Sequence, residues 1–236
     1  MPKAKLPFKE FSWTPELAYA IGLIATDGNL SGDGRHITMR STDHQLLETF
    51  CQCLGLQNSI CQSKENHKDG YKRKPAYRVQ FSNVQFYNWL ISIGITPAKS
   101  HTIGEIKLPE EYFRDFLRGH LDGDGSILTY QDRYNFYKGK RYLNTRLYTY
   151  FISASKKHIH WLYEMIKKTT PIQGAVIFQR PIRGRVAMWK IKIAKYESLK
   201  LFQWLYYRPE LPALERKREL AEYFLQKIRN GKLIRV

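Results

Sequence analysis

From residue 15 the chain reads PELAYAIGLIATDG, apolar or small at nearly every position until an acid and a glycine close the run. A helix apolar all round is one buried on every side. Thr14 before Pro15 and Glu16 supplies its start, with a capping hydroxyl, a proline at the first helical position and an acid at the positive end of the dipole. Gly28 is its expected end. NLSGDGRHITMRS then alternates and turns through glycines, which predicts two strands. DHQLLETFCQCLG has the spacing of an amphipathic helix stopped by Gly55, and SICQSKENHKDGYKRKPAYRVQFSN reads as two strands around a basic loop with an Asp69-Gly70 turn. VQFYNWLISIG closes the series as a short helix ending at Gly94.

That order, helix, hairpin, helix, hairpin, helix, occurs a second time. PEEYFRDFLRGHLDGDG has Pro109 and two acids at its start, an apolar stretch and an Asp-Gly end. After it come a longer hairpin turning near Lys138 and Gly139, the helix KKHIHWLYEMIKK, a hairpin around Arg183 and Gly184, and the helix YESLKLFQWLYY. A last charged helix, PALERKRELAEYFLQKI, has no counterpart in the first half. The pattern predicts an α+β chain: a first repeat over 1–96, a linker over 97–108 and a second repeat over 109–236.

Composition changes this picture in one respect. Against 21 Asp plus Glu stand 39 Lys plus Arg, a net charge of +18. A field of that sign attracts polyanions, and the charges are spread among aromatics and strand-like segments instead of one amphipathic face, which favours nucleic acid over lipid. There is no apolar run of membrane-spanning length and no signal-peptide core, so an intracellular protein is expected, in a bacterial cytoplasm or an organelle matrix and not secreted. Cys51, Cys53 and Cys61 lack zinc spacing and read as reduced structural thiols. His158 and His160, two apart on a helix, point away from each other and do not form a metal pair.

The two helix ends share more than their order. In both Gly22-Leu23-Ile24-Ala25-Thr26-Asp27-Gly28 and Gly119-His120-Leu121-Asp122-Gly123-Asp124-Gly125, a glycine stands five residues before an aspartate and another directly after it. Asp27 and Asp124 are one small domain apart (124 − 27 = 97). Glycine inside a helix costs about 1 kcal/mol relative to alanine, so it signals close approach by another backbone. Two helices packed through Gly22 and Gly119 bring both carboxylates to one end of their interface, where a divalent cation is the natural partner. A single Asp-Gly closes many helices and starts many turns; two in matching contexts on a basic chain favour chemistry.

AIGLIATDG and LRGHLDGDG resemble the two signature helices of the LAGLIDADG homing endonucleases in their single-chain, two-copy form. The resemblance extends over roughly residues 12 to 225. It implies two pseudo-symmetric αββαββα repeats forming a saddle of antiparallel sheets on a two-helix interface. It also implies a monomeric, site-specific nuclease, often intron-encoded, that hydrolyses both strands of a long, imperfectly palindromic DNA target and leaves short 3′ overhangs. Asp27 and Asp124 match the metal-binding acids, with the carbonyls of Thr26 and Gly123 as further metal ligands. Mg²⁺ is the expected metal, Mn²⁺ a substitute, and Ca²⁺ an ion that binds without cleavage. Ala25 departs from the commoner acid of the motif, whereas Asp122 keeps it. Lys99 and Lys217 stand where the family places its lysines, with Lys107 and Arg216 as competing choices; such a lysine stabilises developing negative charge. Arg40 and Ser153 occupy what read as matching strand positions for a water-ordering residue.

Strand alternation names the DNA-facing set. His36, Thr38 and Arg40 lie on one face of their strand, Arg78, Gln80 and Ser82 on the outer face of theirs, and Lys190 and Lys192 likewise in the second half. Arginine and glutamine suit guanine and adenine edges, and lysine suits phosphates. Loop residues Lys68, Lys72, Arg73 and Lys74, with Arg133, Lys138, Lys140, Arg141, Arg180, Arg183 and Arg185, extend the basic surface. Two other readings stay open: an intron RNA maturase or a non-cleaving DNA-binding regulator, and, further off, a glycosidase using paired carboxylates.

Overall fold

The computed structural model describes residues 11–63, 74–137, 139–181 and 186–230, the side chains of 134–137 and 140–143 excepted. The first repeat comprises α1 (Pro15–Thr26), β1 (Gly28–Leu30), β2 (His36–Ser41), α2 (His44–Leu54), β3 (Cys61–Gln62), β4 (Tyr77–Ser82) and α3 (Val84–Ser92). The Thr14 hydroxyl accepts a hydrogen bond from the Leu17 N–H at 3.1 Å, as a cap should. α1 stops at Thr26, earlier than Gly28, because Asp27 itself serves as the C-cap and its N–H returns to the Leu23 carbonyl at 2.9 Å. α2 closes on Gly55 in the left-handed region, φ 61°.

The second repeat comprises α4 (Phe113–Asp122), β5 (Ser126–Tyr137), β6 (Lys140–Ser153), α5 (Lys156–Thr169), β7 (Ala175–Gln179), β8 (Met188–Ile193) and α6 (Lys195–Leu205), and α7 (Glu215–Arg229) follows. α4 begins later than Pro109 suggests, since Glu110–Tyr112 form a 3₁₀ turn first. Each repeat carries a four-stranded sheet of the same lateral order, β1-β2-β4-β3 and β5-β6-β8-β7, and every pairing in it is antiparallel. The fold is therefore α+β with the expected internal symmetry. One apolar core runs through both repeats and includes Ile21, Leu23 and Ile24 of α1 with Phe113, Phe116 and Leu117 of α4.

The two repeats meet along α1 and α4. A Cβ added at Gly22 would lie 2.2 Å from the Phe116 carbonyl oxygen, and one added at Gly119 would lie 2.1 Å from that of Tyr19. No side chain fits between the two backbones there. Polar contacts tie the repeats together further out. The Tyr19 hydroxyl donates to Asp122 at 2.9 Å, and the Gln45 side chain donates to the Ala213 carbonyl at 3.0 Å while accepting from the Glu215 N–H at 3.1 Å. Arg216 pairs with Asp43 at 2.9 Å. The linker is held by α5, whose Ser155 hydroxyl donates to the Ile103 carbonyl and whose His158 Nδ1 meets the Gly104 carbonyl at 2.7 Å. His158 is buried against the ring of His120 whereas His160 is exposed, and the three cysteines are free thiols.

Replacing Gly22 by alanine would gain about 1 kcal/mol of helix propensity if space allowed. We expect Gly22→Ala and Gly119→Ala instead to lose about 3 kcal/mol in urea denaturation, from overlap with backbone that cannot move aside. Gly32→Ala, with nothing within 4 Å of its added Cβ, should stay within about 0.5 kcal/mol of the parent.

Candidate active site

Close packing at Gly22 and Gly119 delivers the ends of α1 and α4 to one place. A Cβ at Gly123 would fall 2.0 Å from the Thr26 hydroxyl oxygen and 3.1 Å from a carboxylate oxygen of Asp27, so the two ends touch and a glycine is required between them. The Thr26 hydroxyl is spent inside its own helix, donating to the Leu23 carbonyl at 2.9 Å. Burial, and after it the negative charge of Asp124, together raise the Asp27 carboxyl to about 7 against the pull of Lys217 and Lys99. Asp124 reaches solvent on one side, yet burial raises it too, with Lys99 and Lys217 acting against the rise.

Two acids made reluctant to ionise by burial, one of them also by its neighbour's charge, form a site that a divalent cation would relieve. Among the described residues no three His, Cys, Asp or Glu side chains gather into a metal-binding group. The donors this site could offer such an ion are the two aspartates with nearby carbonyls, which would suit a hard cation that keeps waters and phosphate oxygens as its other ligands.

Lys99 and Lys217 lie beneath the acids, 7% and 4% exposed. Desolvation lowers both to about 8, with Asp124 and Asp27 holding Lys99 up and Asp122 holding Lys217 up. Their ammonium groups face backbone. Lys99 donates to the Gly28 carbonyl and, at 3.4 Å, to that of Thr26. Lys217 donates to the carbonyls of Leu121, Asp122 (3.0 Å) and Gly125 (2.7 Å). An ammonium has three donors, and Lys217 places all three on backbone carbonyls, which fixes the end of α4. Lys99 performs the same task at α1 with one donor remaining. Lys107 is exposed, and Arg216 is committed to Asp43.

Asp122, the motif acid retained only in the second helix, is 1% exposed. One of its oxygens accepts from the Tyr19 hydroxyl and from the Leu214 N–H at 2.8 Å, which seats the start of α7 on the end of α4. Burial raises its carboxyl as well.

Arg40 stands on the outer face of β2 and lines two cavities that open on either side of Asp27. One, of about 430 Å³, is shared with Asp43, Lys74, Asp122, Gly123 and Arg216. The other, of about 790 Å³, is shared with Asn29, Thr38, Gln62 and Arg78. Ser153 does not match Arg40. In the first repeat Gly28 faces Met39 and Asn29 faces Thr38, and in the second Ser126 faces Tyr150. Because Asn29 and Ser126 both stand two residues after their aspartate, Tyr150 corresponds to Thr38 and Ile152 to Arg40. Ser153 corresponds to Ser41, and both hydroxyls accept the N–H two residues on, at 3.1 and 3.0 Å, closing the turn into the next helix. Sequence alternation missed this by one residue.

The outer-face assignments otherwise match the geometry. Arg78, Gln80 and Ser82 are exposed, while Val79 and Phe81 are buried beneath them. Thr38 is half-buried, and His36 is engaged by Asp33. Arg133 and Arg180 are exposed. Lys190 and Lys192 are half-buried, over the rings of Tyr150 and Tyr148. Lys68, Lys72, Arg73, Lys138, Arg183 and Arg185 lie outside the described residues, as do the side chains of Lys140 and Arg141. Asn29 and Gln62 line the larger cavity beside Asp27 although the sequence pattern does not mark them, and Lys74, expected only as part of the wider basic surface, lines the smaller one. Asn29 was within reach, since it follows the Asp-Gly end directly and alternates with the buried Gly28 and Leu30.

No protein-family model matches the chain, and no curated protein matches it. Solved structures do. The LAGLIDADG meganuclease I-AabMI bound to uncleaved DNA superposes with a TM-score of 0.58 at 11% identity, over 93% of this chain and 92% of that one. I-LtrWI, a LAGLIDADG homing endonuclease bound to target DNA, gives 0.55 at 12%, over 92% and 91%. Full-length DUF199/WhiA from Thermatoga maritima gives 0.53 at 14%, and this chain, 94% of it aligned, spans 63% of the length of that protein. Among the described residues no helix is long and apolar enough to cross a membrane.

A carboxyl raised in the folded state means that the folded chain holds more protons than the unfolded one between the usual aspartate range and about 7. Stability in metal-free buffer should therefore fall as pH rises from about 4 to about 7. Asp27→Asn, titrated in parallel by urea denaturation, should show a shallower fall and greater stability at neutral pH.

Proposed function

We propose, for a chain with the two-repeat LAGLIDADG fold, that it binds double-stranded DNA and cuts both strands at a specific site with a divalent metal, Mg²⁺ by preference. The observation that carries this reading is the pair Asp27 and Asp124. They stand at one end of a helix interface too tight for side chains, desolvated, and beside outward strands bearing Arg40, Arg78 and Gln80. A sugar-cleaving pair would have no use for a basic strand surface.

Asp27 and Asp124 would hold the metal, which would supply a more acidic water and a positive charge against the departing 3′ oxygen. The remaining work falls to the chain. Asp27 and Asp124 fix the reacting centre, and Lys99 and Lys217 hold the carbonyls around them so that neither acid can drift. Arg40 stands at the mouth of both cavities beside Asp27, where a guanidinium meets a phosphate oxygen or the water that attacks it. Hydrolysis adds water across the bond between phosphorus and the 3′ oxygen, leaving a 5′ phosphate and a 3′ hydroxyl. Because the two repeats differ in sequence, the target is long and asymmetric. The chain acts as a monomer, both acids being present in one polypeptide.

Sequencing the ends made from a randomised duplex library should recover one motif with short 3′ overhangs in Mg²⁺ and none in Ca²⁺. Asp27→Asn with Asp124→Asn should abolish the ends and preserve binding, and Arg40→Ala should slow cleavage by about 10² without lowering the melting temperature. Tight, salt-sensitive binding to DNA or to an intron RNA with no ends under any condition would replace the nuclease by a regulator or a maturase.

A further inference from the structure

The corrected strand register exposes a chemical difference between the two sheets. On the first, the positions that face away from the helices carry Asn29, Thr38, Arg40, Arg78 and Gln80, all able to exchange hydrogen bonds with base edges. The corresponding positions of the second differ. Tyr150 replaces Thr38, Ile152 replaces Arg40, and the cross-strand partners Lys192 and Lys190 replace Gln80 and Arg78.

Around them the outer face carries exposed apolar side chains. Tyr148 stands opposite Leu128, and Ile177 stands opposite Lys190 on its other side. Leu128, Tyr130 and Ile177 are 47%, 49% and 39% exposed although they belong to regular strands. Arg146 of this face is taken up by Asp132 through Nε and Nη2 at 3.0 and 2.8 Å. Lys192 lies 4.2 Å over the Tyr148 ring and Lys190 6.0 Å over that of Tyr150, each laying its stem across an aromatic face. Exposed apolar side chains interleaved with lysines call for a ligand that is anionic at its edge and apolar within. This patch is continuous with the acids, since β5 begins directly after Asp124-Gly125. In the major groove, the apolar feature flanked by phosphates is the C5-methyl of thymine.

We propose, building on the DNA-cleaving reading above, that the second sheet reads its half of the target through thymine methyl groups, with Tyr148, Tyr150 and Ile152 as the specificity-determining residues, while the first sheet reads its half through hydrogen bonds. The target is thus divided in its manner of recognition as well as in sequence. The lysines of the second sheet hold phosphates and contribute affinity without choosing bases.

The test uses the intact chain with metal chelated, so that binding is read without cutting. Randomised duplexes are selected twice, once with thymine and once with every thymine replaced by deoxyuridine, which pairs identically and lacks the methyl. Arg78→Ala with Gln80→Ala identifies the half-site of the first sheet as the one whose preference it erases. In the other half, thymine preference should appear in the first selection and vanish in the second. On a defined duplex each methyl removed there should weaken binding about fourfold. Methyl removal in the half read by the first sheet should change little.

Tyr148→Ser with Tyr150→Ser should erase the sensitivity to deoxyuridine and leave the first half-site preference in place, which also shows that the variant is folded. Tyr148→Phe with Tyr150→Phe should keep the sensitivity. An unchanged preference in the second half without methyl groups, or an equal loss in both halves, would overturn the inference and leave DNA binding intact. Failure to recover any duplex motif would defeat the DNA reading itself, and this inference with it.

Discussion

Everything distinctive about this protein depends on two backbones touching. Where α1 and α4 cross, Gly22 and Gly119 leave no room for so much as a methyl group. Dispersion and close packing there are gained over the whole helix face, and each partner supplies apolar rows to a shared core. The geometric result matters more than the energy. Helices this close must end close, so two side chains 97 residues apart in sequence (124 − 27 = 97) are set beside each other by backbone contact, which cannot shift by a rotamer change.

That placement creates an electrostatic difficulty which the fold meets with lysines from below. Each helix end presents carbonyls and an acid, all negative in character, in a partly dry setting. Lys99 from the turn after the first repeat, and Lys217 from the first turn of α7, enter beneath and bond those carbonyls. The acids remain hard to ionise without a further positive charge, and the unfilled demand is on the solvent side, where a metal and a phosphate would arrive.

Much of this could be read from the chain. The Asp-Gly ends, the glycines five residues earlier and the recurring element order were plain in letters, because close approach and helix termination each demand particular residue types. What could not be read depended on three-dimensional register. Ser153 was assigned to the place held by Ile152, since alternation gives the face of a strand but not which residue opposes which. Nor does a sequence that places a lysine near a carboxylate say where its donors go: Lys99 and Lys217 both bond backbone carbonyls at the helix ends. Likewise, α7 looked like an addition without a counterpart, although its first turn occupies the place that the 3₁₀ turn Lys99–His101 holds in the first repeat.

The two repeats look interchangeable in outline and are not so in detail. Asp122 of the second depends on the Tyr19 hydroxyl of the first, and the approach to α7 rests on Gln45 of α2 and on Asp43 just before it. A gene assembled by joining the front half of one such protein to the back half of another would inherit a matched glycine pair but a broken set of hydrogen bonds. Buried Asp122 would lose a donor, and the segment carrying Lys217 would lose its anchor. Recombination between halves is thus limited by a few polar residues outside the motif, and a lineage that keeps Tyr19 and Gln45 stays free to vary its outer sheet faces one half at a time.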